Sequence, residues 1–208
     1  IADDWHLVHL GSRAVGGAGQ VMVEATAVSP EGRITHGDLG IWSDGHREAF
    51  RRITAFVEAQ GAVPASQIAH AGRKASTYRA LPGQPSGSVP VAEGGWQTVA
   101  PSALAFEGLA EPRELTPDEI AGVREAFLAA ARRAVRAGFE AVEFHAAHGY
   151  LLHQFLSPLS NLRTDDYGGT PENRARLLRE IVRDLRAEHP NLPVIVRISG
   201  DEWVEGGF

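Results

Sequence analysis

The stretch "EFHAAHGYLLHQF", residues 143–155, gathers His145, His148, Tyr150 and His153 directly after an apolar run. Imidazoles and a phenol at this spacing can do three kinds of chemistry. They can satisfy a neighbouring backbone carbonyl at a strand end, the reading preferred here for His153 inside the apolar turn "YLLHQFL". They can bind zinc, because neutral imidazole is a good ligand. The H-x-x-H-x-x-x-x-H spacing fits neither H-x-H nor H-E-x-x-H, however, and no acidic residue stands between the histidines. Alternatively, His145 and His148 can donate hydrogen bonds to a substrate oxygen while Tyr150 gives or takes a proton. Residue types alone leave the structural and donor readings of His145, His148 and Tyr150 both open.

These groups need a frame, and the surrounding sequence alternates helical and strand patterns. Asp3 and Asp4 precede "WHLVHLGSRAVGG", where Gly16-Gly17 is a stop signal, so a short helix opens the chain. "QVMVEATAV", residues 20–28, reads as a buried strand interrupted by Glu24. Ser43 or Asp44 caps a helix that sets Ala49, Phe50, Ile53, Phe56 and Val57 on one face and ends at Gly61. A second strand spans 63–70. "TPDE" then forms a capping box of Thr116, Pro117 and Glu119, and its helix runs to Gly138. A third strand spans 140–145. "TPEN" repeats the start signal at Thr170 and Pro171 for a helix burying Leu177, Leu178, Ile181 and Leu185, and a fourth strand spans 192–199.

Strictly alternating helices and apolar strands predict a parallel sheet covered by helices. An open doubly wound sheet carries a glycine-rich phosphate turn after its first strand, and no GxGxxG follows any strand here. The glycines at 16, 17 and 19 precede a strand and are read as a helix stop. The expectation is therefore a (β/α)8 TIM barrel, of which the chain covers roughly strands 2 to 5. A whole barrel needs eight strands and about 250 residues. The opening Ile1 and the lone Met22 likewise suggest that the first strand and the last three lie outside residues 1–208. The chain is expected to be one partial barrel domain, with residues 71–115 a long loop at the mouth. Gln67, His70, Ala25, His145, His148 and Arg197 all fall at or after strand C-termini, the face on which such barrels build their sites. The connections 71–115 and 146–170 crowd the same face, as lids or binding walls do.

Composition narrows the classes. The chain has 208 residues, 43% of them apolar, no cysteine and a net charge of −6 without a basic block. It is expected to be a globular cytoplasmic protein without disulfides, thiolate chemistry, a nucleic-acid partner or a membrane span. No apolar run reaches the roughly 18 residues that a span requires, and "IADDWHLVHL" lacks the basic start of a secretory signal.

Five segments together carry a resemblance: "EATAVSPEGRITHGDLGIWSDGH", "QIAHAGRKAS", "APSALAF", "HAAHGYLLHQFLSPLSNLRTDDYGGTPENRARLLREI" and "VRISGDEWVEGG". They resemble the old yellow enzyme family of FMN-dependent ene-reductases, in its bacterial thermophilic-like and xenobiotic-reductase branch. The resemblance implies a (β/α)8 barrel with FMN at the C-terminal mouth and NADPH or NADH as reductant. It also implies a small enone-type substrate and a homo-oligomer. Gln67 matches the amide on the flavin pyrimidine edge, Ala25 the small residue against the flavin ring, and Arg197 the cation beside flavin N1 and O2. His145 and His148 match the pair that grips a substrate carbonyl, and Tyr150 matches the proton donor. Each has a plainer reading beside it. Gln67 could bridge strands, Ala25 could be small because its strand is crowded, Arg197 could pair with Glu24 or Glu143, and Tyr150 could be packing. His70, Arg73 and Lys74 could line the mouth or pair with acids, and no catalytic role is assigned to them.

Two departures from the family pattern stand out. The family's first strand and the branch's flavin-proximal cysteine have no counterpart here, and the loops that hold the FMN phosphate lie past Phe208. The fragment alone is therefore expected to bind FMN poorly. The alternatives from other classes are a metal-dependent barrel hydrolase and a truncated, non-catalytic barrel fragment that serves as an interaction module.

Overall fold

A computed structural model describes residues 1–208 throughout. Local sequence signals account for most element starts. Helix α1 (Asp4–Val15) begins at Asp3, whose carboxylate accepts from the Trp5 N–H while the His6 side chain accepts from the Asp3 N–H. Ser43, not Asp44, caps α2 (Asp44–Ala59). Thr116 and Glu119 form the reciprocal capping box of α3 (Pro117–Arg136), with Pro117 in its first turn. A short helix α4 (Leu151–Leu156) replaces the expected turn around His153. The segment expected as one helix after Thr170 divides into α5 (Pro171–Arg174) and α6 (Arg176–Glu188). Arg174 and Arg176, flanking the break, donate to the carbonyls of Leu156, at the end of α4, and of Asp166, in the loop that follows it.

Four strands make one parallel sheet: β1 (Gln20–Ala27), β2 (Val63–Ala69), β5 (Ala141–Ala146) and β6 (Val194–Ile198), in that spatial order. Between β2 and β5 the long connection contains a two-residue ribbon, β3 (Val99–Ala100) with β4 (Arg113–Glu114). It also contains 3-10 turns at Gly72–Lys74 and Val91–Glu93. With the ribbon set aside, each strand of the main sheet lies beside its sequence neighbour and a helix follows each of the first three. That is the winding of a (β/α)8 barrel, whereas a doubly wound sheet reverses its order at a switch point.

The hydrophobic layer lies between the sheet and the helices. Val21, Val23, Ile68, Val142 and Phe144 from the strands meet Phe50, Ile53 and Val57 of α2, Phe127 and Ala131 of α3, and Leu177, Ile181 and Leu185 of α6. The rings of Phe127 and Phe144 meet edge to face at 6.1 Å. Phe56 and Leu178 are more open than expected. Phe56 is 38% exposed because it sits at the α1 edge of its face, its ring against Gly11, where an added Cβ would stand 2.8 Å from it. Leu178 is half-buried at the rim of the same layer. No helix is long and apolar enough to cross a membrane.

Phe127 is fully buried at the centre of this layer. Truncating it to alanine is expected to cost about 3–5 kcal/mol, from lost apolar burial plus the cavity left behind. A urea titration followed by circular dichroism reads this as a lower midpoint at unchanged slope, and an unchanged midpoint would contradict the packing described.

Candidate active site

Side chains alternate across a strand, so the faces opposite the hydrophobic layer carry the polar residues. Gln67 is paired in register with Glu143, and His145 with Arg197. All four therefore lie on one face, with His145 and Arg197 toward the C-terminal end. Immediately beyond β5 the chain turns through Ala147–Tyr150, and Tyr150 serves as N-cap position of α4. That turn brings His148 and Tyr150 back over His145. The ring centres of His145 and His148 are 5.0 Å apart at 78°, and those of His145 and Tyr150 are 5.0 Å apart at 88°.

Their protonation states follow from their surroundings. His145 is buried, and burial, reinforced by the nearby His148, Arg197 and His153, pushes its pKa down to about 4. It is thus neutral near pH 7. Its Nδ1 accepts from the Ala147 N–H at 3.2 Å, so the remaining ring hydrogen sits on Nε2 as a free donor. His148 is more exposed, and partial burial with Arg197 and Lys74 nearby lowers its pKa as well. Burial and the Asp38 carboxylate raise the Tyr150 phenol, which therefore keeps its proton. The result is two neutral imidazoles and a protonated phenol, with His148 and Tyr150 each edge-on to His145.

The remaining site residues predicted from sequence distribute less evenly. Gln67 is 8% exposed, and its Nε2 donates to Glu143 Oε1 at 2.5 Å. The strand-bridging reading is therefore met, and the amide oxygen is left available. Ala25 lies where the β1–β2 register shifts, between Val23 and Thr26. With Ala27, Ala69, Ala71, Gly32, Ile34, Asp38 and Tyr150 it lines a small hollow. Arg197 is exposed and does not form the alternative pair with Glu24 or Glu143. Glu24 lies 3.5 Å from His6, and Glu143 takes the Gln67 amide. The donor set fits a flavin: an amide faces the inner side, small residues line the hollow at the strand ends, and the Arg197 cation is not neutralised by those acids.

His153, expected to satisfy a neighbouring carbonyl, instead accepts at Nδ1 from the Gly149 N–H at 2.8 Å and pairs through Nε2 with Glu202 at 3.2 Å. His70 is also redirected: it is buried, accepts from the Gly72 N–H at Nδ1, and is held at a pKa of about 4 by burial. Arg73 and Lys74 pair with carbonyls and not with acids. Arg73 donates to Leu104 and Ala105, and Lys74 donates to His148 at 2.9 Å.

Sequence reasoning passed over Arg163. It is 8% exposed and binds Asp165, Glu114 and the carbonyls of Pro101 and Leu115, locking the 156–170 loop to the β3–β4 ribbon. Its signal was an arginine two residues before an Asp-Asp pair in a glycine-rich loop. No group of three His, Cys, Asp or Glu side chains converges in a metal-binding arrangement.

The chain is thus a parallel half-barrel with polar residues on its inner face and neutral donors at its C-terminal end. The model of the NADH:flavin oxidoreductase / NADH oxidase family matches residues 1–208, and the chain belongs to that family. It is 50% identical to a NADH:flavin oxidoreductase of Gibberella zeae, over 98% of this chain and 50% of the relative. It is 47% identical to an NADPH dehydrogenase of Bacillus subtilis, over 98% of this chain and 55% of that protein. The chain thus spans about half the length of the curated relatives it matches. Among solved structures it is similar to morphinone reductase in complex with tetrahydroNAD, with a TM-score of 0.84, 34% identity, and coverage of 100% of this chain and 58% of that one. The old yellow enzyme homologue of Zymomonas mobilis aligns with a TM-score of 0.83 at 33% identity, over 99% of this chain and 56% of that one.

The two histidines held near pKa 4 make a pH prediction. Unfolded, His70 and His145 take up protons near pH 6.5; folded, they do so only near 4. Between those values the unfolded chain binds more protons, so stability falls as pH drops from about 6.5 toward 4, and these groups add no slope above that window. Thermal melts at pH 7, 5.5 and 4.5 are expected to show a falling midpoint. Histidine Cε1–H resonances titrating near 6.5 at both positions would contradict the burial described.

Proposed function

We propose that the complete protein is an FMN-dependent oxidoreductase, with NADPH or NADH as reductant, that reduces the C=C bond of α,β-unsaturated carbonyl compounds. The observation that carries this reading is the packing of His148 and Tyr150 against His145 at the strand end, with the His145 Nε2 hydrogen unspent. Two neutral N–H donors converging there suit a carbonyl oxygen. They withdraw electron density from the conjugated β-carbon and stabilise the negative charge that develops on oxygen as the β-carbon is reduced. The protonated phenol of Tyr150 stands beside them to deliver a proton to the α-carbon.

Gln67, Ala25 and Arg197 are the residues that would hold FMN: the amide on its polar edge, the alanine against its ring, and the guanidinium near the charge of the reduced form. FMN, when bound, supplies the hydride for the β-carbon. Family membership and the names of the relatives, NADPH dehydrogenase and NADH:flavin oxidoreductase, support this cofactor and reductant. The hydrolase alternative lacks a three-ligand cluster. Homo-oligomer assembly of the complete protein belongs to the same proposal.

The test is NADPH-driven reduction of 2-cyclohexenone by the full-length protein and its variants. Losing one donor of such a pair is expected to cost about 10²–10³ in turnover, so His145→Ala and His148→Ala should each fall by that order with flavin retained. Tyr150→Phe should slow saturated-ketone formation by about 10² or more. Wild-type kcat/KM in both histidine variants would sink the reading.

A further inference from the structure

His148 adopts a positive φ of 58°, a left-handed conformation uncommon for any residue but glycine. The backbone groups on both sides of that twist are taken by side chains from distant parts of the fold. Lys74 Nζ donates to the His148 carbonyl at 2.9 Å, and the His148 N–H donates to Ser199 Oγ at 3.2 Å. Gly149 follows at φ 72° and donates its N–H to His153. The Lys74 ammonium also lies 5.1 Å from the ring centre of Tyr150 and 4.6 Å from that of Phe106. Ring faces attract a cation at such distances. A chain that needed only to turn between β5 and α4 could place glycine at 148 as it does at 149. Holding a histidine there with a cation fixes where the imidazole points.

We propose that Lys74 is a positioning residue for His148 and Tyr150: its ammonium grips the His148 carbonyl against the Ser199 hold on the N–H, and so sets both rings over His145. A single half-buried ammonium thereby ties the turn after β2 to the turn after β5 and to the Phe106 loop. The catalytic consequence rests on the reading of His148 as a carbonyl donor, whereas the hold on the turn does not.

Two measurements on the full-length, FMN-loaded protein separate these parts. In a crystal structure of Lys74→Met, His148 is expected to leave φ near 58° and its ring to move away from the 5.0 Å spacing to His145. In rapid mixing, reoxidation of the reduced Lys74→Met flavin by 2-cyclohexenone is expected to slow about tenfold, with Lys74→Arg partly restoring it. Reoxidation by dioxygen, which offers no carbonyl to grip, should be unchanged, as should flavin content. A variant in which His148 keeps its conformation and ring position overturns the proposal. So does a parallel loss toward enone and dioxygen. A wild-type protein inert toward enones would instead overturn the carbonyl-donor reading, while the crystallographic comparison still decides whether Lys74 holds the turn.

Discussion

Parallel pairing of β2, β5 and β6 sets Gln67 against Glu143 and His145 against Arg197. The opposite faces of the same strands present Ile68, Val142 and Phe144 to α3 and α6. A slip of one residue would turn the apolar set outward and bury the polar set in the hydrophobic layer. The register is therefore fixed by burial on the helix side, and the inner side inherits its geometry from it. The β1–β2 register shift around Glu24 and Ala25 is the local exception, and it lies beside the hollow that the small residues line.

What the strands begin, the loops after them complete. The 147–150 turn folds His148 and Tyr150 over the strand end, and Leu151 N–H anchors α4 on the His70 carbonyl at 2.9 Å. Arg163 binds the next loop to the ribbon between β2 and β5. Burial keeps the imidazoles neutral, and the cations Lys74 and Arg197 nearby oppose their protonation further. The mouth is thus rich in donors, and its cations Lys74 and Arg197 stand among the carboxylates Asp38, Glu143 and Glu202. In the proposed reaction the donors would meet the negative charge that develops on a bound oxygen.

Much of this was legible in the sequence because capping boxes, glycine stops and apolar periodicity act locally. Thr116 with Glu119, Asp3, Ser43 and the strand cores all behave as their types dictate. The cluster of His145, His148 and Tyr150 was legible for the same reason: one short turn brings the three together. What escaped were contacts across long sequence separations. The ribbon at 99–100 and 113–114 is too short for a periodic signal, and Arg163 acts through partners about 50 residues away in the chain. Lys74 looked like a surface cation because its partners are a carbonyl and two rings, none of which a charge pattern reveals. An ion pair of Arg197 with Glu24 or Glu143 was one reading the sequence left open, but Glu143 has Gln67 directly opposite it and Glu24 lies near His6.

The visible absorption spectrum of the full-length protein, taken under anaerobic conditions before and after NADPH and again after an enone, tests the central claim most directly. The account predicts a flavin spectrum that bleaches with NADPH and returns with the enone. A colourless protein that also fails to take up added FMN would contradict it.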